Sequence, residues 1–395
     1  MRILFANDGV GDAGGVQGYL AAVAPALRTR GHEIALLHLD ALRAPSDSPL
    51  RGDASHFCVA ELGVEGAVAA ARRWSPDLAF SHNMRALDVD RLLLGNLPVV
   101  KMMHGYFGTC IGGQKMHAFP RAVACDRRLG AACTALYLPR HCGQWNVGKL
   151  ISQREWAYAQ HDLLPRYAAI VVASDHMHRE YVRHGVGADR AVANPLFATE
   201  MPADAAPAPS EFRVLFLGRM TSLKGGDVLI RAAALASARL GAAISVTLAG
   251  DGPSRAAWEA LGTSLRVSAT FPGWVNAQQR AALYSTSSLV AVPSVWPEPF
   301  GLTGLEGGAY GVPAVAFDVG GISMWLRDGD NGWLVDPWTG VEGMATVIAE
   351  AYSDSVALGA RRLGARRVAE EFSIERHVAV LERVFGGAVS RGSKE

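Results

Sequence analysis

Short apolar runs alternate with amphipathic stretches along this chain, and the alternation occurs twice. In the first half the runs Ile3–Ala6, Ile34–Leu39, Leu78–Ser81, Val99–Met103 and Ile170–Ala173 predict strands with helices between most of them. In the second half Val214–Leu217, Ile244–Ala249, Val267–Phe271, Leu289–Pro293, Ala314–Phe317 and Trp333–Val335 repeat the theme. Runs such as SLVAVPS alternate too little for a half-exposed strand, so they suit a parallel sheet covered on both faces. Two successive doubly wound α/β sheets are implied. The Ala- and Pro-rich segment 198–210 lacks any amphipathic period and reads as the linker between them. The expected division is 1–197, a linker at 198–210, a second domain over 211–372, and a last helix over 373–395. Ligands of such sheets bind beyond the carboxyl ends of the strands.

The segment 293–321, PSVWPEPFGLTGLEGGAYGVPAVAFDVGG, carries the most specific chemistry. It sets Glu298 and Glu306 with seven residues between them, the first in a loop and the second inside the helix expected over Leu302 to Tyr310, which Gly311 and Pro313 close. The backbone amides of Phe300, Gly301 and Leu302 then lie at a helix N-terminus and are available to anions or sugar oxygens. Glu306, one turn inside, can accept two hydrogen bonds from a diol such as ribose. In LFLGRMTSLKGG, Arg219 and Lys224 flank a turn after a buried strand, which suits a diphosphate; a solvated surface pair is the plainer reading. Gly14 and Gly15 open a helix after the first strand and permit close approach of a phosphate, or simply make a tight turn. No Asp-x-Asp is placed to hold Mg²⁺, so no catalytic metal is expected.

The order Glu-Pro-Phe-Gly-Leu, a second Glu with seven residues between it and the first, Gly-x-Pro and Asp-x-Gly-Gly resembles the family-4 retaining glycosyltransferases of the GT-B fold. GRMTSLKGGDVLI at 218–230, LAGDGP at 248–253, FPGWV at 271–275 and DGDNGWLV at 328–335 fall in the same family's order. The resemblance implies two Rossmann-like domains facing each other across a cleft. It implies that Arg219 and Lys224 stabilise the departing diphosphate, that Gly14 and Gly15 meet it from the other side, and that Glu298 with Phe300, Gly301, Leu302 and Thr303 holds the sugar. Glu306 would hold the ribose, Val275 would lie where main-chain groups meet the base, and the last helix would cross back to the first domain. His104 follows the buried run KMM, where a histidine is more often structural, yet the resemblance gives it the transferred sugar. His82 and Asn83 fall on the acceptor side by the same likeness.

Composition narrows the picture further. The chain has 395 residues, half of them apolar, and a formal net charge of only +1, which disfavours a nucleic-acid partner. No apolar run reaches the roughly 20 residues of a membrane span, and MRILFANDGVGD reads as a first strand, so a cytoplasmic protein is expected. Four of the five cysteines, Cys110, Cys125, Cys133 and Cys142, lie in a long loop at 104–150. They lack Cys-x-x-Cys pairing, so free thiols, a structural zinc and disulfides all stay open. Residues 111–150 hold six Lys or Arg against Asp126 alone, interleaved with Phe119, Tyr137 and Trp145. That suits an anionic acceptor, peripheral contact with an inner membrane face, or a solvated loop. The expected activity is transfer of a sugar from a nucleotide-diphosphate sugar, UDP ahead of GDP, to a hydroxyl of a saccharide or lipid-linked glycan in polysaccharide biosynthesis. A glycoside hydrolase using two carboxylates and a non-catalytic nucleotide-binding module are the rival readings.

Overall fold

The computed structural model describes residues 1–9, 15–40, 50 and 54–392. Two compact units account for the chain. The first holds residues 1–121, 125–195 and the stretch from Ile374 on; the second holds 196–373 together with 122–124.

In the first unit the strands are β1 (Arg2–Asn7), β2 (Glu33–His38), β3 (His56–Cys58), β4 (Leu78–Ser81) and β5 (Val99–Met103). The short strands β6 (Met116–His117) and β7 (Val123–Ala124), the latter grouped with the second unit, come next along the chain, and β8 (Ala169–Val172) and β9 (Ala191–Ala193) complete the first. Seven of them form one sheet in the order β3-β2-β1-β4-β5-β8-β9, with every neighbouring pair parallel. All five residues of β5 and all four of β4 are buried, which is why their sequences carry no alternation. β3 and β9 fell outside the expected set; each is three residues long, too short to leave a periodic signal.

The second unit contains β10 (Arg213–Leu217), β11 (Ser245–Ala249), β12 (Ser268–Gly273), β13 (Leu289–Val292), β14 (Ala314–Phe317) and β15 (Gly332–Val335). They pair in parallel in the order β12-β11-β10-β13-β14-β15. Both sheets reverse direction of growth at one point, between β1 and β4 and between β10 and β13, and the candidate residues cluster just beyond those strand ends.

The stretch 198–210 behaves differently from a free linker. Proline and irregular backbone leave its carbonyls without ladder partners, and arginines of the helix Ser355–Glu371 supply them. Arg366 Nη2 donates to Pro202 O at 2.6 Å and Arg362 Nη2 to Ala206 O at 2.6 Å, while Ala206 N donates to Tyr310 O at 3.0 Å. The segment is therefore strapped to the second unit. The last helix, Ile374–Gly392, packs in the first unit, where Glu382 pairs with Arg30 at 2.6 Å and His32 at 3.0 Å.

Candidate active site

β13 ends at Val292, one residue before the expected Pro293, and the loop that follows buries the Glu298 side chain. A buried carboxylate must be compensated by donors, and three converge on Oε1: Lys224 Nζ at 2.6 Å, Trp296 Nε1 at 3.0 Å and Ser294 Oγ. Lys224 also lies 5.6 Å over the Trp296 ring. Glycines let these loops approach. Gly225, at φ +65°, places its Cα where a Cβ would come within 1.9 Å of Pro293 O, so only glycine lets the turn carrying Lys224 lie against the end of β13. Gly320, at φ +65°, is pressed onto Glu298 in the same way, with a Cβ falling 2.2 Å from the Glu298 carbonyl oxygen. That carbonyl accepts from Gly321 N at 2.7 Å, so the Asp-x-Gly-Gly turn holds the glutamate's backbone in place.

Gly301, left-handed at φ +82°, is the N-cap of the helix Leu302–Ala309, which has no side-chain cap. Gly304 N already donates to Gly301 O at 3.2 Å, which leaves the amides of Leu302 and Thr303 at the helix start without an intrahelical acceptor, a ready anion or hydroxyl site. Phe300 is buried, and its carbonyl takes Trp325 Nε1 at 2.7 Å, which fixes the entry to that helix.

Glu306 lies inside the same helix and is also buried. Thr199 Oγ1 donates to its Oε1 at 3.1 Å, and the Tyr284 hydroxyl lies 3.1 Å from both its Oε2 and Thr303 O. Burial pushes its carboxyl above the usual range, against the opposing pull of Arg280 and the two hydroxyls. The expectation of two open oxygens is thus modified: each already accepts one protein hydrogen bond, and the second lone pair of each is what a diol could use.

Arg219 is exposed, and while its carbonyl accepts from Thr221 N at 2.9 Å, its side chain makes no ion pair or hydrogen bond among the described residues. Lys224, expected to face a diphosphate, spends one of its three N–H donors on Glu298. Val275 sits half-buried between β12 and the helix Ala277–Ser285, whose start is fixed by an Asn276/Gln279 capping box. Asp251 serves its own turn, accepting from Gly252 N at 2.7 Å.

In the first unit His82, His104 and Tyr19 come together with His377 of the last helix. His82 Nδ1 and His104 Nε2 are 3.1 Å apart. The Tyr19 ring lies 5.7 Å from His82, 5.4 Å from His104 and 5.4 Å from His377, centroid to centroid. Beneath them runs a buried ion pair, Lys101 Nζ to Asp90 Oδ2 at 2.7 Å, with Ser81 and Tyr167 also donating to Asp90 at 2.7 Å each. Desolvation, with the Lys101 charge adding to it, pushes His104 down to about 3; His82 is pushed well below its usual range by burial, by His104 and by Lys101. Both imidazoles are neutral at physiological pH. Asn83 is half-buried and its carbonyl accepts from Asp8 N at 3.1 Å. Gly15 starts the helix Gly15–Thr29, and Gly14 lies outside the described residues.

Cys110, Cys125, Cys133 and Cys142 are free thiols lining one cavity of about 60 Å³ with Met116 and Tyr137. Burial, with the other cysteines adding to it, pushes the Cys142 thiol up to about 12. Among the described residues no three or more His, Cys, Asp or Glu side chains are grouped to hold a metal.

Sequence reasoning did not find Trp296, Ser294, Tyr284, Thr199, Arg280 or His377 at these sites. Ser294 and Trp296 were within reach, since a buried carboxylate needs donors and these two flank it in the loop. The others approach from afar, Thr199 across 107 residues to Glu306 and His377 across 358 to Tyr19, and leave no local trace.

Solved structures share this architecture over nearly the whole chain. Anabaena Alr3699/HepE in complex with UDP and glucose superposes with a TM-score of 0.69 at 17% identity, covering 97% of this chain and 98% of that one. Sucrose-phosphate synthase (tll1590) from Thermosynechococcus elongatus gives 0.71 at 18% identity, covering 98% of each. The class is therefore the GT-B fold of glycosyltransferases. Residues 211–354, within the second unit, match the family Glycosyl transferases group 1. The D-inositol 3-phosphate glycosyltransferase of Rhodococcus opacus (strain B4) is 39% identical over 175 residues, 42% of this chain and 39% of that protein. That of Arthrobacter sp. (strain FB24) is 33% identical over 212 residues, 52% of this chain and 49% of that protein. The chain thus spans about half or less of the length of these curated relatives.

Proposed function

We propose that this chain is a retaining, metal-independent glycosyltransferase that moves a sugar from a nucleoside-diphosphate sugar, with uracil as the base, to a hydroxyl of a saccharide or lipid-linked glycan. The observation that carries the reading is the convergence of Glu298, Lys224 and the uncapped helix start at Leu302 on one strand-end loop system. A sugar diphosphate needs both signs of polar group there: cations and amides for phosphate, a carboxylate for hydroxyls. A fold neighbour supports the donor class, since Anabaena Alr3699/HepE is solved in complex with UDP-glucose.

In this reading Arg219 and the remaining N–H donors of Lys224 neutralise the charge that grows on the leaving diphosphate. Glu298, charged and immobilised through Oε1, holds hydroxyls of the transferred sugar, and Glu306 takes the ribose diol. Val275 lies at the base, and His104 meets the sugar. The bond from the anomeric carbon to the diphosphate oxygen breaks as the bond to the acceptor oxygen forms on the same face. The acceptor's proton passes to the departing phosphate, so no separate base is required. A glycoside hydrolase is disfavoured because Glu298 is tied to a lysine, and neither glutamate is set opposite the other across a bond in any observed geometry.

Among the described residues no helix is long and apolar enough to cross a membrane. Phe119, Trp145, Val147 and Ile151 are exposed large apolar residues near the basic loop, which supports contact with an anionic membrane face and a cytoplasmic location beside it. Cosedimentation with vesicles containing anionic lipid, set against neutral vesicles, checks this; equal binding to both contradicts it. For the activity itself, the purified protein is incubated with UDP- and GDP-sugars and release of the free nucleotide is followed. Slow hydrolysis of a UDP-sugar is expected, and inertness towards every nucleotide sugar with hydrolysis of a simple glycoside would overturn the reading.

A further inference from the structure

Imidazole nitrogens at hydrogen-bonding distance must share one proton, and the pair His82 Nδ1 and His104 Nε2, 3.1 Å apart, obeys that constraint. With both rings neutral there are two arrangements. In one, His104 Nε2–H donates to His82, and His82 carries its own proton on Nε2. In the other, His82 Nδ1–H donates to His104, and His104 carries its proton on Nδ1.

The surroundings of His82 separate them. It is 1% exposed, packed against Phe80 at 4.3 Å and Phe5 at 5.8 Å between ring centroids, and its Nε2 is buried without a hydrogen-bond partner among the described residues. The first arrangement would bury an N–H with no acceptor, the rarest kind of orphan in folded proteins, whereas the second leaves a lone pair there. The neighbouring Lys101 charge lowers the pKa of both rings, so protonation does not rescue the first arrangement.

A second contact keeps the pair in place. His377 Nδ1 lies 2.7 Å from Pro195 O, which only accepts, so His377 is protonated at Nδ1 and its Nε2 is an acceptor. The Tyr19 hydroxyl, 2.8 Å from that Nε2, therefore donates to it. This anchors the Tyr19 ring against the edges of His82 and His104, leaving neither free to flip.

We infer that His82 is a positioning residue that locks His104 in the tautomer presenting an N–H donor at Nδ1, so that His104 offers a hydrogen bond to an oxygen of the transferred sugar and does not act as a base. His104 is only partly buried, and its Nδ1 has no partner among the described residues. This inference rests on the proposed glycosyltransferase reading for the identity of the acceptor oxygen; the tautomer itself does not.

Imidazole nitrogen NMR on the intact protein labelled at histidine reads the tautomers directly, with resonances assigned through His82→Asn and His104→Asn. Pyrrole-like Nδ1 and pyridine-like Nε2 on both residues are expected. A pyrrole-like Nε2 on His82 overturns the inference whatever the enzyme does. In the activity arm, His82→Asn keeps an amide N–H where Nδ1 stands, and His82→Gln moves it to the place of Nε2. With UDP-sugar turnover as readout, Asn should stay within about threefold of the native kcat while Gln and Leu lose about tenfold or more, with the affinity for free UDP unchanged. Equal loss in all three variants of matched melting temperature would show a merely structural histidine. If the native protein turns over no nucleotide sugar, the function proposed above fails while the tautomer result still stands or falls on the spectra.

Discussion

The two units place polar side chains at equivalent ends of similar sheets, but with opposite electrostatics. In the first unit the residues beyond β4 and β5 are neutral imidazoles bonded to each other and wedged against Tyr19. In the second, the residues beyond β10 and β13 are full charges: Lys224 on Glu298, and Glu306 with Arg280 nearby. The difference follows from what compensates burial. The first unit places a deeply buried charge pair, Lys101 and Asp90, beneath the cluster, and that positive charge disfavours another cation above it. The second unit keeps its charges at the loop tips, where Gly225 and Gly320 bring cation and carboxylate together. A charged half suits a diphosphate donor, and a neutral half suits uncharged hydroxyls.

The comparison breaks most visibly through the cations. Removing both Arg219 and Lys224 by alanine substitution should lower turnover about 10²- to 10³-fold, the scale of losing preorganised charge at a leaving group. His104→Ala should cost less, about tenfold to a hundredfold, because it removes one neutral hydrogen bond. Steady-state kinetics on the two variants checks the ranking, and a larger loss from His104→Ala would reverse it.

Acid provides the next test. His377, 2% exposed, is pushed down to about 4 by burial, from an unfolded value near 6.5. A base whose folded pKa is depressed binds fewer protons folded than unfolded, so its contribution is intact above pH 6.5 and is lost as pH falls towards 4. At about 1.4 kcal/mol per unit this is on the order of 3 kcal/mol, and His104 adds in the same direction. Glu306 has the opposite sign: its raised pKa means that the folded second unit gains as pH falls. Hydrogen exchange corrected for intrinsic rates should show peptides around β4 and β5 losing protection before those around β13 between pH 6.5 and 4. The reverse order would contradict the assignment of neutral histidines.

The smallest expected effect is that of chelation. If Arg219, Lys224 and helix amides supply the positive charge, excess chelator should leave donor turnover unchanged within about twofold. Activity abolished by chelator and restored by Mg²⁺ would require a cation at the leaving group. Restoration by Zn²⁺ alone would point to the cysteine cavity.

Much of this was legible in the sequence because parallel strands buried on both faces write themselves as unbroken apolar runs. The loop at 293–321 was legible too, since Glu298, Gly301, Glu306 and the glycines of its closing turn are close in sequence. What escaped were meetings across long separations. Lys224 and Glu298 are 74 positions apart, and nothing local says that a residue suited to phosphate also holds the carboxylate. His82 and His104 each read as a lone histidine after a strand, and only the β4 and β5 pairing makes them partners. The segment 198–210 looked unattached because its anchors are arginines more than 150 residues further on.

The account's central claim is that the two glutamates of one loop and helix divide the donor between them. Calorimetry with free UDP, together with turnover of a UDP-sugar, on Glu298→Gln and Glu306→Ala tests it most directly. Glu306→Ala should weaken UDP and donor alike, about tenfold, because both carry the ribose. Glu298→Gln keeps an acceptor for Lys224 but removes the charge, so UDP should bind nearly as before while turnover falls about 10²-fold or more. Equal loss of UDP affinity in both variants, or normal turnover in Glu298→Gln, would contradict it.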